Sequence, residues 1–98
     1  MSMSEYSIVR GEASSCFFGK VARQEGREVE IHEARRLWWW EGANDLSELA
    51  VLGTAKPQDC KFSVAVDSLV MLDACEIIPC TEDAEKSIKG VPVWTVKR

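Results

Sequence analysis

Residues 35–40, RRLWWW, carry the side chains of this chain that are best suited to recognise a ligand. An indole ring stacks on the face of a nucleobase, and a guanidinium group pairs with a phosphate through two parallel hydrogen bonds. Neighbouring side chains of a strand or a helix point in different directions, so at least one of three consecutive tryptophans must leave the face that packs the core. The block therefore predicts a surface that recognises a planar, anionic molecule such as a small nucleotide.

The predicted ligand site extends from this block into the residues that follow it. Backbone N–H groups before the next helix could hold an anion at the positive end of that helix, although Asp45 and Glu48 compete for the same end. The predicted ligand-binding residues are Arg35, Arg36, Trp38, Trp40, Gly42 and Asn44. Large aromatic side chains are also typical of protein cores, of oligomer interfaces and of hot spots for a host protein, so these alternatives stay open.

No motif of the chain predicts catalysis. His32 is the only histidine, it is flanked by Glu30 and Glu33, and no cysteine has the neighbours expected of a nucleophile. Neither a phosphate-binding glycine motif nor an H-E-x-x-H zinc motif is present. We therefore predict a protein that is not an enzyme and that uses no cofactor and no metal.

The cysteine pattern is that of structural thiols. None of the four forms a C-x-x-C pair, which argues against a zinc knuckle and against a disulfide framework. A free cysteine behaves as a small apolar residue, so reduced, buried thiols are expected, and a zinc site built from all four is the alternative. The cysteines are Cys16, Cys60, Cys75 and Cys80.

The composition predicts a single folded domain over residues 1–98. Hydrophobic residues make up 46% and charged residues 29% of the chain, as in ordinary globular domains, and 98 residues are too few for two separate cores. The net charge of -4 argues against duplex DNA as a partner, while a single-stranded nucleic acid remains an alternative. No segment has the length of a membrane span or the pattern of a secretory signal, which predicts a cytoplasmic protein.

The first half of the chain predicts antiparallel strands. Gly26 lies in a polar turn that would pair CFFGKVA with REVEIHEA in a hairpin, and Val29 and Ile31 would face the core. The register through residues 32–36 is open. A regular strand would place Leu37 on the Val29 face, and a bulge in HEARR would place it on the opposite face.

The second half predicts two short helices among further strands. Asp45 and Thr81 are expected helix caps, and Gly53 and Gly90 are expected helix ends. KFSVAV alternates between apolar and polar residues, which predicts a strand. SLVMLDACEIIPC has apolar residues at both odd and even positions, which predicts strand segments that are covered on both faces. VPVWTVKR predicts a final strand at a sheet edge. The sum is a mainly β (α+β) fold, with a small curved antiparallel sheet or partly open barrel of about six strands and two short helices.

Much of the chain resembles a family of short bacteriophage and prophage proteins that have no established activity. The resemblance covers CFFGKV, the segment from EARRLWWW to ELAVLG, the segment from CKFSVAV to AEKSI, and VPVW. Its most specific parts are the Arg-Leu-Trp-aromatic-Trp block before Gly42 and the motif EIIPCT. The resemblance implies a phage origin and a place in the cytoplasm of an infected bacterium, and it supplies no catalytic residues.

These observations lead to one leading hypothesis and two alternatives. The leading hypothesis is a phage-derived binding protein that sequesters a small nucleotide of a host immune signal through its Trp and Arg side chains, by analogy with other small phage proteins. The alternatives are a protein-interaction or self-assembly module and a single-stranded nucleic acid binder. A homo-oligomer with tryptophan at the interface is expected in each case.

Overall fold

A single antiparallel sheet with two helices packed on it forms the fold of the computed structural model, which describes residues 2–96. The described strands are β1 (Met3–Gly11), β2 (Cys16–Glu25), β3 (Glu28–Trp39), β4 (Lys61–Phe62), β5 (Val66–Met71) and β6 (Ala74–Thr81). The helices are α1 (Leu46–Leu52) and α2 (Glu82–Lys89), and a single 3₁₀ turn spans Pro57–Asp59. The mainly β architecture with two short helices that the sequence predicts is confirmed.

The sheet is strongly curled but open. Its strand order is β4-β3-β2-β1-β6, and β5 pairs with β3 on the same side as β4, so that β4 and β5 share one edge. β5 and β6 therefore lie at opposite edges, yet only Leu72 and Asp73 separate them in the chain. Because so short a link joins the two edges, the sheet bends round at this end without closing into a barrel.

The two faces of the sheet carry separate apolar clusters. The helix-covered face includes Tyr6, Phe18 and Leu37, which pack with residues of α1 and α2. The curled face, where the sheet folds over itself, includes Phe17 and Val29 together with side chains of β5 and β6. Successive side chains of a strand point to opposite faces of the sheet, so neighbouring residues such as Phe17 and Phe18 pack in different clusters.

A β-bulge at Glu33 decides which residues of β3 enter which cluster. Phe18 pairs with Arg35 and Lys20 pairs with His32, so β3 has one more residue than β2 between these pairs. The extra residue lets Glu33 adopt a positive φ of 52°. Residues beyond the bulge therefore change face, and Leu37 joins the helix-covered face while Val29 lies on the curled face. Of the two registers that the sequence leaves open, the structure has the bulged one.

Gly19 makes room for this bulge. A Cβ atom at Gly19 would lie 2.5 Å from the side chain of Ile31 and 2.8 Å from the carbonyl oxygen of His32. Since real Cβ atoms do not approach other atoms so closely, the β2 backbone can pass the bulge only with glycine at this position.

Both helices begin and end where the sequence predicts. The Asp45 side chain accepts a hydrogen bond from the backbone N–H of Glu48, and Thr81 accepts one from Ala84. Gly53, with φ of 76°, follows α1, and Gly90 follows α2. None of the helices in residues 2–96 is long and apolar enough to cross a membrane.

Two predicted strands are shorter than expected. In KFSVAV the strand ends at Phe62, residues 63–65 belong to no strand, and β5 begins at Val66. Val64 and Val66, which strict alternation with Phe62 would direct into the core, are both exposed. In VPVWTVKR only Val93 forms a ladder contact, a parallel bridge to Phe62, and residues 97 and 98 lie outside the described part of the chain.

Candidate functional site

Two tryptophans stack on each other at the β4 edge of the sheet. The ring centroids of Trp38 and Trp94 are 5.1 Å apart and the ring planes differ by 10°. Both side chains stay largely open to solvent, at 56% and 50% exposure. The pair forms because residues 93 and 94 run beside β4, where the backbone N–H of Trp94 donates to the carbonyl of Phe62 at 2.9 Å.

A lysine adds a positive charge to this pair. The Lys61 Nζ atom lies 5.4 Å from the ring centroid of Trp38 and 5.3 Å from that of Trp94, within the range of a cation–π contact. Trp39 pairs with Lys61 across the strands and is 52% exposed. We call Trp38, Trp39, Trp94 and Lys61 the indole platform.

The groove beside the platform carries charges of both signs. Its volume is about 470 Å³, and Trp39, Lys61 and Trp94 lie in its wall with Glu41 and Asp59. The indole N–H of Trp39 donates to the Glu41 carboxylate at 3.0 Å. The groove is shallow and open, so it can contact a flat surface more readily than it can enclose a small molecule.

Trp40, a predicted binding residue, is separated from the platform. It is half-buried and packs against the apolar cluster of the helix-covered face. β3 ends at Trp39, so the alternation that would place Trp40 beside Trp38 no longer applies one residue later. Of the two indoles expected to act together, only Trp38 lies on the platform.

Arg35, also a predicted ligand residue, lies inside the protein. Its side chain is 6% exposed. Nε donates to the carbonyl of Ser63 at 2.7 Å, Nη1 to that of Ile88 at 2.8 Å, and Nη2 to that of Val91 at 2.6 Å. Burial lowers the pKa of this guanidinium, which nevertheless stays charged in a protein. Arg35 joins β3 to the end of α2 and faces away from the platform.

Arg36 lies on the curled face of the sheet. Its guanidinium carbon is 4.6 Å from the ring centroid of Phe17, in a cation–π contact. It borders an open groove of about 510 Å³ whose other wall is the β5 strand and the link that follows it. The two neighbouring arginines are therefore directed to opposite sides of the sheet.

Gly42 and Asn44 use their backbone groups within the fold. The Gly42 carbonyl accepts a hydrogen bond from Ala55, and a Cβ at this position, where φ is 80°, would lie 2.5 Å from the Lys56 nitrogen. The N–H of Asn44 donates to the Glu48 carboxylate at 3.2 Å, while Asp45 caps the helix. The carboxylates of Asp45 and Glu48 occupy the positive end of α1. Gly42 and Asn44 therefore shape the loop that precedes this helix.

Sequence reasoning missed three members of the platform, Trp39, Lys61 and Trp94. The signal for Trp94 was available, since a tryptophan two residues after Pro92 in an edge strand is of a type enriched at interfaces. Its pairing with Trp38 was not, because it depends on a parallel contact between Phe62 and Val93, which are distant in the sequence.

The thiols of the chain have no arrangement suited to metal binding or catalysis. Cys60 and Cys80 are buried, Cys16 is half-buried and Cys75 is exposed, and all four are free. Burial raises the pKa of the Cys80 thiol to about 12, which leaves almost no thiolate at neutral pH. Within residues 2–96, no group of three or more His, Cys, Asp or Glu side chains could hold a metal ion.

Comparison with known proteins places the chain in a family. No protein with a curated description and no solved structure matches it significantly. A family model matches residues 4–88, which cover the described strands and helices except for the first residue of β1 and the last residue of α2. The chain therefore belongs to the family described as a domain of unknown function, DUF6948.

Proposed function

We propose that this protein is a non-enzymatic interaction module that binds a second copy of itself through the indole platform. The observation that supports this most directly is the exposure of Trp38, Trp39 and Trp94, each at least half open to solvent at the same edge. Large exposed aromatic side chains are enriched at interfaces, where they contribute most of the binding free energy.

The surface around the platform is apolar beyond the tryptophans. Val93 and Val96 flank Trp94 in the chain and are exposed, and Val64, two residues after β4, is exposed as well. A contiguous exposed apolar patch is typical of an interaction site, and an edge with unpaired backbone groups favours association with another chain. The edge formed by β4 and residues 93–96 carries exposed apolar side chains of this kind.

The charges at the platform favour self-association over a partner of one charge. Lys61 lies on the same surface as Glu41 and Asp59. In a two-fold symmetric dimer the same patch meets itself, so a patch with both signs of charge is complementary to its own copy. A strongly basic or strongly acidic partner would meet repulsion from one of the two signs.

A small nucleotide is the second candidate ligand of the platform. The Trp38–Trp94 stack offers an outer ring face to a base, and Lys61 supplies a charge for a phosphate. Stacking of a base on an aromatic side chain contributes about 1–3 kcal/mol. This candidate has less support than self-association, because Arg35 is committed to three carbonyl groups and the α1 end to its own carboxylates.

The biological setting is part of the proposal. The resemblance to short phage proteins supports a role in the cytoplasm of an infected bacterium, where a small non-enzymatic protein can oppose a host defence by binding alone. The free state of the four thiols is compatible with a reducing compartment. A host protein is an alternative occupant of the platform.

Mass measurement in native buffer tests the proposal. We expect a dimer or larger oligomer for the unchanged protein, and a monomer for Trp38→Ala and Trp94→Ala. Leu72→Ala is the matched control, because Leu72 is an even more exposed apolar residue, at 73%, in the link between β5 and β6. A monomer at high concentration for the unchanged protein would contradict self-association.

Calorimetric titration separates the second candidate from the first. Cyclic dinucleotides and ADP-ribose derivatives should release heat with the unchanged protein and not with Trp94→Ala if the platform binds nucleotides. If the oligomer dissociates in both tryptophan variants and no nucleotide releases heat, the result would support the interaction module and exclude nucleotide binding at the platform.

A further inference from the structure

A cavity separate from the indole platform lies between the sheet and the end of α2. Its volume is about 290 Å³. Tyr6 and Phe18 form one wall, with ring centroids 4.9 Å apart and planes 12° apart, and Val91 and Val93 lie across from them. Ala65 and Val93 are exposed, so the cavity opens to solvent on their side.

The buried guanidinium of Arg35 lines this cavity. Among residues 2–96 it has no carboxylate partner, and its three hydrogen bonds go to neutral carbonyl groups. Nη1 and Nη2 each make one of these bonds, whereas each of these nitrogens carries two N–H groups. A buried positive charge without a counterion is costly, and an anion in the cavity would compensate it.

The other charged groups around the cavity are already paired. Glu33 accepts a hydrogen bond from the Tyr6 hydroxyl at 2.8 Å and forms an ion pair with Lys20 at 2.9 Å. Lys89 forms an ion pair with Glu85 at 2.7 Å, and its ammonium lies 4.1 Å from the Tyr6 ring centroid. Each of these two ion pairs is electrically neutral, so among the described residues of the cavity lining Arg35 carries the one charge that has no counterion.

We propose that this cavity binds a small organic monocarboxylate with an aromatic or short aliphatic body. The carboxylate would pair with the free N–H groups of Arg35, since the planar guanidinium matches a carboxylate in shape and charge. The body would lie against Tyr6, Phe18 and Val91, which are apolar and largely buried. The volume is at the lower end for a ligand site, which selects a small acid over a nucleotide.

Nuclear magnetic resonance titration of the unchanged protein with benzoate tests this proposal, and benzamide serves as the neutral isostere. Benzoate should shift the amide signals of residues around the cavity, such as Tyr6 and Val91. Benzamide should bind at least about tenfold more weakly, because it lacks the charge that a guanidinium recognises. Equal binding of the two probes, or shifts confined to the indole platform, would overturn the proposal.

A pair of variants in one loop tests the location of the site without changing Arg35. Ala65→Phe places a ring at the mouth of the cavity, and Val64→Phe adds a ring at the next residue, which does not line it. Both positions are exposed, so both variants should fold. Benzoate affinity should fall by about tenfold or more in Ala65→Phe and stay unchanged in Val64→Phe. Unchanged affinity in Ala65→Phe would place the acid elsewhere and overturn the proposal.

A second pair of variants tests the rim of the cavity. Lys89→Met removes the ammonium that lies over Tyr6, and Lys86→Met removes the same charge from an exposed position of α2 that does not line the cavity. Benzoate affinity should fall severalfold in the first variant and stay unchanged in the second. An equal effect of both would mean that binding reflects net charge and would contradict a built site. Trp38→Ala should leave benzoate binding intact, which separates this site from the platform.

Discussion

Arg35 and Trp38 stand three positions apart on the same strand, and each occupies the environment usually found for the other. The arginine is largely buried beside α2, and three backbone carbonyls accept its hydrogen bonds. The indole lies at the edge, more than half exposed. The difference shows that the polarity of a side chain does not by itself decide its burial. Strand register and available hydrogen-bond acceptors decide it as well.

The bulge at Glu33 creates this difference. In a regular β3, Leu37 would share the face of Val29, and Arg35 would point with it into the curled face. With one inserted residue, Arg35 instead reaches the carbonyls at the end of α2, and Leu37 reaches the helix-covered cluster. The buried and the exposed regions are therefore two consequences of one local irregularity.

Deletion of Glu33 should abolish the distinction between the buried and the exposed region, because it should disrupt the fold. We expect this to be the largest effect. The shortened strand would have to turn either Leu37 or Val29 away from its cluster, and each cluster depends on these side chains. We expect no cooperative unfolding transition and poorly dispersed amide signals. Glu33→Gly is the control, because glycine accepts the positive φ and preserves the register. A folded deletion variant would show that the bulge does not fix the fold.

Replacing the two neighbouring arginines one at a time should give unequal results. Arg35→Met leaves three carbonyl groups without a donor, and we expect the free energy of unfolding to fall by about 3 kcal/mol or more. Arg36→Met loses a cation–π contact with Phe17, and we expect a loss below about 1 kcal/mol. Urea unfolding followed by circular dichroism measures both. Similar losses in the two variants would contradict the buried role of Arg35.

Two neighbouring indoles give a smaller contrast. Trp40 is half-buried against the helix-covered cluster, so we expect Trp40→Ala to lower the free energy of unfolding by about 2 kcal/mol. Trp39 is exposed, so we expect Trp39→Ala to cost below about 1 kcal/mol. The same urea unfolding experiment measures the loss of unfolding free energy in both variants. A larger loss for Trp39 would mean that the exposed indole supports the fold and is not free for recognition.

The smallest expected effect is the dependence of stability on pH. It contrasts the buried charge of Arg35 with the carboxylate of Asp73. Arg35 keeps its charge in acid, whereas Asp73 accepts hydrogen bonds from the N–H groups of Ala13 and Ser14 and from the Ser14 hydroxyl. These bonds lower the pKa of Asp73 from 3.8 to about 2.

A carboxylate whose pKa is lower in the folded state stabilises the fold fully above its unfolded pKa. That contribution falls as the pH drops from 3.8 to about 2 and is absent below. The difference in unfolding free energy between the unchanged protein and Asp73→Ala should therefore shrink over this range, as measured by urea unfolding at several pH values. A difference that stays constant down to pH 2 would contradict the role of these hydrogen bonds.

Local signals in the sequence were sufficient for the helices and the first hairpin. Asp45 and Thr81 cap helices that begin at the next residue, and Gly26, with φ of 60°, lies between β2 and β3. These features depend on residues close in the chain, whose conformational preferences act directly. The curvature of the sheet also followed from the number of short strands that so small a domain has to accommodate.

The composition of the site depends on contacts that leave no local signal. The direction of Arg35 depends on backbone carbonyls, which any residue type supplies. The bulge depends on Gly19 in the neighbouring strand, and a glycine within a strand is equally typical of a tight bend or of a ligand that approaches the backbone. The platform needs Trp94 to meet Trp38 through a parallel bridge. Each is a long-range pairing, so the sequence could supply the residue types without their arrangement.

The hydrogen bonds of Arg35 also bear on the order in which a newly made chain can fold. Its acceptors at Ile88 and Val91 follow it by 53 and 56 residues. While residue 91 is still inside the ribosome, the guanidinium lacks two of its three acceptors and is better solvated by water than enclosed beneath the sheet. Burial of this charge must therefore wait until α2 and Val91 have left the ribosome, which couples it to docking of that helix.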